Sequence, residues 1–142
     1  MIRSAIISDA TAIQKLNADA LGYSFDLEKT TAALKRILGA PGHTMLVATD
    51  KHDQVQGYVH VETYDTTYFE PLYNVLALAV LPAWQHHGIG QQLMTAIEVQ
   101  ARQQHIHAIR LSSASQREAA HAFYEHLGYV CTKTQKRFIK KM

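Results

Sequence analysis

One stretch limits what this chain can fold into more than any other. Leu72–Val80 is almost wholly apolar, as a strand buried on both faces must be. Pro82 then stops it, and the loop Ala83-Trp84-Gln85-His86-His87 runs into Gly88-Ile89-Gly90. From there Ile89, Leu93, Ala96, Ile97 and Ala101 recur at helical spacing, which predicts a helix over 88–104. A short strand over 108–111 follows. Strand, helix and strand in this order form a crossover between parallel strands.

The rest of the chain supplies partners for that unit. Residues 2–7 read as a strand. Ser8-Asp9-Ala10 caps a helix to Leu21, with Ile13, Leu16 and Ala20 on one face. After the loop at 21–25, Asp26 caps a second helix, stopped by Gly39-Ala40-Pro41-Gly42. Residues 43–49 and 54–64 form a hairpin across Asp50-Lys51-His52-Asp53. Past the crossover, 115–127 is a helix with Ala119, Ala120, Phe123 and Leu127 inside and Gly128 at its end. Residues 129–133 and 136–140 are strand-like. The order is β-α-α-β-β-β-α-β-α-β-β, an α/β chain with a mixed sheet. At 142 residues it is about one domain, long enough to bury a core without staples.

The glycine loop carries chemistry as well as a turn. The first N–H groups of a helix have no internal partners, and the macrodipole adds roughly half a positive charge there. Residues lacking Cβ let an anion come close, so this is a phosphate-binding architecture. A dinucleotide fingerprint would need a third glycine, but position 93 is Leu. A P-loop would need Gly-Lys-Ser/Thr, but Gly90 is followed by Gln91-Gln92. A second constellation, Arg117, His121 and Tyr124, is spaced i, i+4, i+7 on the last helix and puts a cation, an imidazole and a phenol on one face.

Taken together these features resemble a known family. Val80-x-Pro82-x-x-Gln85-x-x-Gly88-Ile89-Gly90-x-x-Leu93 is similar to the acetyl-CoA motif of GNAT-type N-acetyltransferases. Ala122-Phe123-Tyr124-Glu125-x-Leu127-Gly128-Tyr129 resembles that family's C-terminal signature. The resemblance covers nearly the whole chain. It implies a three-layer αβα fold with a splayed central parallel pair, forming a single domain over 1–142. It also implies acetyl-CoA as cosubstrate, a primary amine of a small molecule or peptide as acceptor, direct attack, and a homodimer at the level of the family. The backbone of Leu78, Ala79 and Val80 would pair with the pantetheine arm. Gln85, His86, His87, Gly88, Ile89, Gly90 and Gln91 would hold the pyrophosphate. Tyr124 would protonate the departing thiolate. Arg117 stands where the family often has Asn, which implies a cation near a phosphate or the cofactor arm.

The base is less clearly marked. The family often places Glu in or near the strand that ends before the glycine loop, but Leu72–Val80 contains no acid. Glu70 lies just before it. Glu62 lies on the preceding strand, where Tyr58, His60, Glu62 and Tyr64 alternate onto one face. Glu62 is the preferred base, acting through water; the competing reading makes that face the outward, solvated one.

The remaining residues admit other readings. Nine histidines raise the question of a metal, but no acid or Cys stands at ligand spacing and His-Glu-x-x-His is absent, so none is expected. Cys131, the only cysteine, excludes an internal disulfide and reads as a buried structural thiol. Lys133, Lys136, Arg137, Lys140 and Lys141 read as cations that keep edge strands soluble and unpaired, in preference to a nucleic-acid patch. A coenzyme A sensor without turnover and an enzyme acting on nucleic-acid-linked amines are the alternatives. No apolar run approaches a membrane span, and no secretory h-region opens the chain, so a cytoplasmic location is expected. The charge is unevenly divided. Residues 1–70 carry six basic and nine acidic side chains, net −3; residues 71–142 carry eight and three, net +5. An anionic ligand on the second half and a cationic one on the first would suit that division.

Overall fold

The computed structural model describes residues 1–142, which form two compact units, Met1–Leu111 and Ser112–Met142. The first holds β1 (Ile2–Ser4), α1 (Ala10–Leu21), α2 (Leu27–Leu38), β2 (His43–Thr49), β3 (Val55–Tyr64), β4 (Leu72–Val80), α3 (Ile89–Gln103) and β5 (Ile109–Leu111). The second holds α4 (Glu118–His126). The fold is α+β, with a five-stranded mixed sheet in the order β1-β2-β3-β4-β5. The first four strands are antiparallel neighbours, and β4 and β5 are parallel, as the crossover requires.

Two helical layers enclose the sheet of the first unit. Ile13 and Leu16 of α1 and Leu34 of α2 pack in one cluster with Met45, Val47, Tyr58 and Ala79. On the other face, Gln100 of α3 donates to Thr44 Oγ1 and to Tyr73 Oη. Leu93, Met94 and Ile97 of α3 are wholly buried. Asp26 caps α2 as expected, its Oδ1 accepting from Glu28 N–H at 2.8 Å. A helix starting with an acceptor and ending in Lys35 and Arg36 agrees with its macrodipole at both ends.

Several expectations need correction. The strand predicted over 2–7 stops at Ser4, because Arg3 and Asp9 bend the chain. The Arg3 guanidinium forks onto both oxygens of Asp9, each at 2.9 Å, and also reaches Asp53 at 3.0 Å. Asp9 stands at the N-cap of α1, but its side chain makes no capping bond there; its carboxylate accepts from Ile6 N–H and Arg3. Burial pushes the Asp9 carboxyl up, but those bonds outweigh it and hold it below the usual carboxylate range. The last helix begins at Glu118, three residues later than predicted, and none of its residues is fully buried. Ala119, assigned to its inner face, is exposed.

The two final strands are absent: no residue from 128 to 142 is in a strand. Sequence alternation there forms no ladder with another strand, and a strand is defined by its ladder, not by its pattern. Val130, Phe138 and Ile139 are exposed, Phe138 at 88%. Cys131 is exposed as well, so it is not a buried structural thiol.

Candidate active site

The pairing of β4 with β5 is short. Only Tyr73, Asn74 and Val75 face Ile109, Arg110 and Leu111. From Leu76 to Val80, β4 keeps β3 on one side and has no β5 residue on the other. Leu76 marks the change: a bulge falls opposite His60/Val61, and its side chain is 47% exposed. A strand end with free backbone groups along one side can accept another extended chain. Leu78, Ala79 and Val80, the predicted arm-binding residues, lie on that open stretch.

The glycine loop follows directly. Pro82–Trp84 make one 3-10 turn, and the Gln85 side-chain amide donates back to Val80 O at 3.1 Å, tying the loop to the end of β4. His86 takes φ +66° and Gly88 φ +82°. The first of these is uncommon for a residue with a side chain. A Cβ on Gly88 would meet nothing within 4 Å, so glycine is needed there for backbone conformation and not for space. The first bond of α3 runs from Gln92 N–H to Gly88 O at 3.0 Å. The N–H groups of Ile89, Gly90 and Gln91 therefore have no acceptor within the helix. Gly88, Gln91, Gln92, Thr95 and Ala96 line an open depression beside this end of α3. His87 stacks edge-on against Trp84 at 5.8 Å. No carboxylate occurs between Glu70 and Glu98. Free donors, a positive helix end and a segment without a carboxylate suit a pyrophosphate, so the residues present fit the predicted cosubstrate.

The expected acids fall in different places. Glu70 is exposed in the loop between β3 and β4. Glu62 is half-buried on β3 and accepts from Asn74 Nδ2 at 2.9 Å. The face it shares with Tyr58 and His60 is not the solvated one. Tyr58 is 4% and His60 9% exposed, and Tyr58 Oη donates to Asn17 of α1. Burial is the main reason the Tyr58 hydroxyl is pushed up to about 12.

One feature of this face has no counterpart in the sequence pattern. His43 Nδ1 lies 3.0 Å from His60 Nε2, a direct hydrogen bond between two imidazoles. The residues are 17 apart in sequence, and only the β2–β3 register brings them together. Burial, with His43 beside it, pushes the His60 imidazole down to about 4, against a smaller opposite effect of Glu62.

In the second unit, Arg117 sits at the N-cap of α4 and not inside it. His121 Nε2 is 2.9 Å from Ala114 O, so that nitrogen is held locally. Tyr124 packs edge-on against Phe123 and Tyr129. Burial pushes its hydroxyl above the usual phenol value, partly offset by the Arg117 charge. Ser113 Oγ is buried with no hydrogen-bond partner. No group of three or more His, Cys, Asp or Glu side chains has metal-binding geometry, and no helix is long and apolar enough to cross a membrane.

A family model matches the sequence, and solved structures resemble the fold. The family model described as an acetyltransferase (GNAT) domain matches residues 41–131. No curated protein sequence matches the chain. Among solved structures, the aminoglycoside antibiotic 6'-N-acetyltransferase AAC(6')-IG from Acinetobacter haemolyticus superposes with TM-score 0.84 at 20% identity, covering 100% of this chain and 99% of that one. A transcriptional regulator from Bacillus halodurans gives 0.88 at 22% identity, covering 99% of each chain. AAC(6')-Iy in complex with the bisubstrate analog CoA-S-monomethyl-acetylneamine gives 0.86 at 16% identity, covering 100% and 98%. At such identities these structures speak for the fold alone. The family model spans more than half of the sequence, including the glycine loop and α4, and by that match the chain belongs to the GNAT acetyltransferase family.

Proposed function

We propose that the chain, acting as one domain, transfers an acetyl group from acetyl-CoA to a primary amine of a small molecule or peptide. The observation that carries this reading is the open end of β4 running into a helix start whose first N–H groups have no acceptor within the helix, in a segment, 71–97, without a carboxylate. AAC(6')-Iy binds a coenzyme A bisubstrate analog on a similar fold, which supports the same use of the loop here. Acetyl-CoA supplies the activated acyl group. Leu78, Ala79 and Val80 hold its extended arm, and the loop from Gln85 to Gln91 holds its pyrophosphate, with Arg117 as a further cation.

The remaining work falls to side chains. A primary amine has a reference pKa of ~10.4 and arrives protonated. Its proton leaves toward Glu62, through water; Glu70, in the exposed loop before β4, is the second candidate base. A backbone N–H near Ala79 stabilises charge on the carbonyl oxygen. Tyr124 then donates its proton to the departing sulfur. Fixing amine and thioester together supplies most of the acceleration. The acidic first half suits a cationic acceptor, and the aminoglycosides named for the neighbouring enzymes are polyamines of that kind. Exposed Val130, Phe138 and Ile139 support pairing with a second copy; light scattering that returns only monomer overturns that part.

Thiol release with a panel of polyamines, aminoglycosides and peptide amines tests the main reading. Turnover that depends on an amine is expected. Coenzyme A binding with no turnover on any amine, and no effect of Tyr124→Phe, would instead favour a cofactor sensor.

A further inference from the structure

The sheet of the first unit ends on an unfinished edge. β5 is its last strand, and its ladder is with β4 alone. The Ala108 carbonyl accepts from Tyr73 N–H at 3.1 Å and so points at β4. Backbone groups alternate sides along a strand, which turns the N–H and C=O of Ile109 and Leu111 away from β4. None of the residues of β5 is fully buried. A row of ladder groups on an accessible edge is a template for one more strand.

The second unit carries a strand-like segment without a ladder. Lys136-Arg137-Phe138-Ile139-Lys140 lies in no strand, and Phe138 is 88% and Ile139 68% exposed. Consecutive side chains of a strand point to opposite faces, so Phe138 and Ile139 put one apolar group on each. A strand with one face in water alternates instead. Apolar groups on both faces suit a sheet that helices cover on both faces, as they do here. Lys136 and Lys140 bound the apolar pair at either end. Charge agrees with this match. Residues 128–142 carry five basic and no acidic side chains, while Met1–Leu111, the unit that holds the edge, carries eight basic and ten acidic.

We propose that residues 136–140 of one copy pair beside Ile109–Leu111 of a second copy, and the reverse, so that two chains exchange their C-terminal segments as edge strands. The inference rests on the proposed pairing of two copies and adds to it the surfaces that meet. No ladder joins 136–140 to β5 of the same chain, so each copy has one edge and one strand-like segment left unmatched. Reciprocal exchange matches both. It is isologous and closes at two copies, whereas a one-way donation would run on into a filament. Backbone hydrogen bonds along β5 set the alignment, and burial of Phe138 and Ile139 is the main gain. The lysines and Arg137 then stand on the new outer strand, where charge discourages a further addition.

The test uses the full chain. A mixed dimer is prepared from one 13C,15N-labelled copy and one unlabelled copy, and isotope-filtered NOEs are recorded. Contacts from 136–140 of one copy to 109–111 of the other are expected. A dimer without them overturns the exchange but leaves the pairing of two copies standing on some other surface. The same contacts inside one copy also overturn the exchange, because the segment then completes its own edge. A chain that light scattering finds monomeric at NMR concentration overturns both readings. Sedimentation equilibrium measures the strength. Phe138→Asp is expected to raise the dimer dissociation constant by about tenfold or more, and Phe138→Leu, which stays apolar, by about threefold at most. A Phe138→Asp chain that is folded by circular dichroism and keeps the wild-type dissociation constant refutes the proposal. Should that variant not fold, a chain ending at Gln135 takes its place with the same expectation.

Discussion

Asn74 Nδ2 donates to the Glu62 carboxylate at 2.9 Å across β3 and β4. The bond fixes the orientation of a half-buried acid. Asn74→Leu removes the donor and lets the carboxylate rotate. Positioning alone is worth large factors in rate, so kcat/KM for the amine should fall about tenfold. KM for acetyl-CoA should not change, since Asn74 is five residues before Ala79. Glu62→Gln keeps the shape and removes the charge, and should cost roughly 10²-fold. Initial rates for both variants at saturating acetyl-CoA check the pair.

Gly57 shows how tightly β3, β4 and α3 meet at the cofactor end of the sheet. A Cβ placed on it would stand 2.8 Å from Ala79 O and 3.3 Å from Ile89 Cγ2 and Val80 Cγ2. The first of these atoms is backbone and cannot swing away. Gly57→Ala must therefore push β4 outward at the residues assigned to the pantetheine arm. Overpacking of this kind costs about 1–3 kcal/mol. Thermal unfolding should record that loss, and isothermal titration should show weaker binding of acetyl-CoA. Gly88→Ala makes a contrast, because only its φ of +82° is at stake there. It should cost about 1 kcal/mol and act on cofactor affinity through the loop alone.

The parts of the fold that can be read from the sequence are those governed by local physics. The β2 and β4 boundaries, Leu72–Val80 included, follow from apolar runs stopped by proline or a turn. The α2 cap follows from Asp26. The glycine loop is legible because a change of period and a helix start are local. What the sequence hides depends on pairing between distant residues. The Arg3 fork onto Asp9 and Asp53 ends β1 early, and no pattern around residue 3 foretells it. The His43–His60 bond needs the β2–β3 register. The strand-like alternation after Gly128 misleads for the opposite reason: the pattern is present, but the ladder that would make it a strand is not.

His60 makes acid stability measurable. Its folded value of about 4 lies below the ordinary 6.5, and burial is the main cause. Between these values the unfolded chain binds more protons than the folded one, so stability rises with pH through that window. The contribution is fully present above pH 6.5 and is lost as pH falls toward 4. It amounts to about 3 kcal/mol at most. Urea unfolding between about pH 4 and 7 should show the slope, and His60→Gln should flatten it. Tyr58 has the mirror-image effect at the other end. Its hydroxyl, pushed up from 10 to about 12, favours the fold below pH 10, and that stability is lost as pH rises from 10 to 12.

Tyr124 is the assigned acid, and its environment favours that task. Burial raises its hydroxyl above the ordinary phenol value of 10, while Arg117 pulls weakly the other way. The proton therefore stays on the oxygen throughout the neutral range, ready to be given to a departing thiolate. Tyr124→Phe keeps the ring contacts with Phe123 and Tyr129 and removes only the hydroxyl. The fold should survive, with stability unchanged to within about 1 kcal/mol, and kcat should drop roughly 10²-fold. An acceptor-independent readout separates this role from simple binding. Replacing the thioester by an acyl donor whose thiol leaves more readily should shrink the difference between wild type and the Tyr124→Phe variant, because a better leaving group needs less protonation. A deficit that is the same for both donors would remove Tyr124 from the proton-donating step.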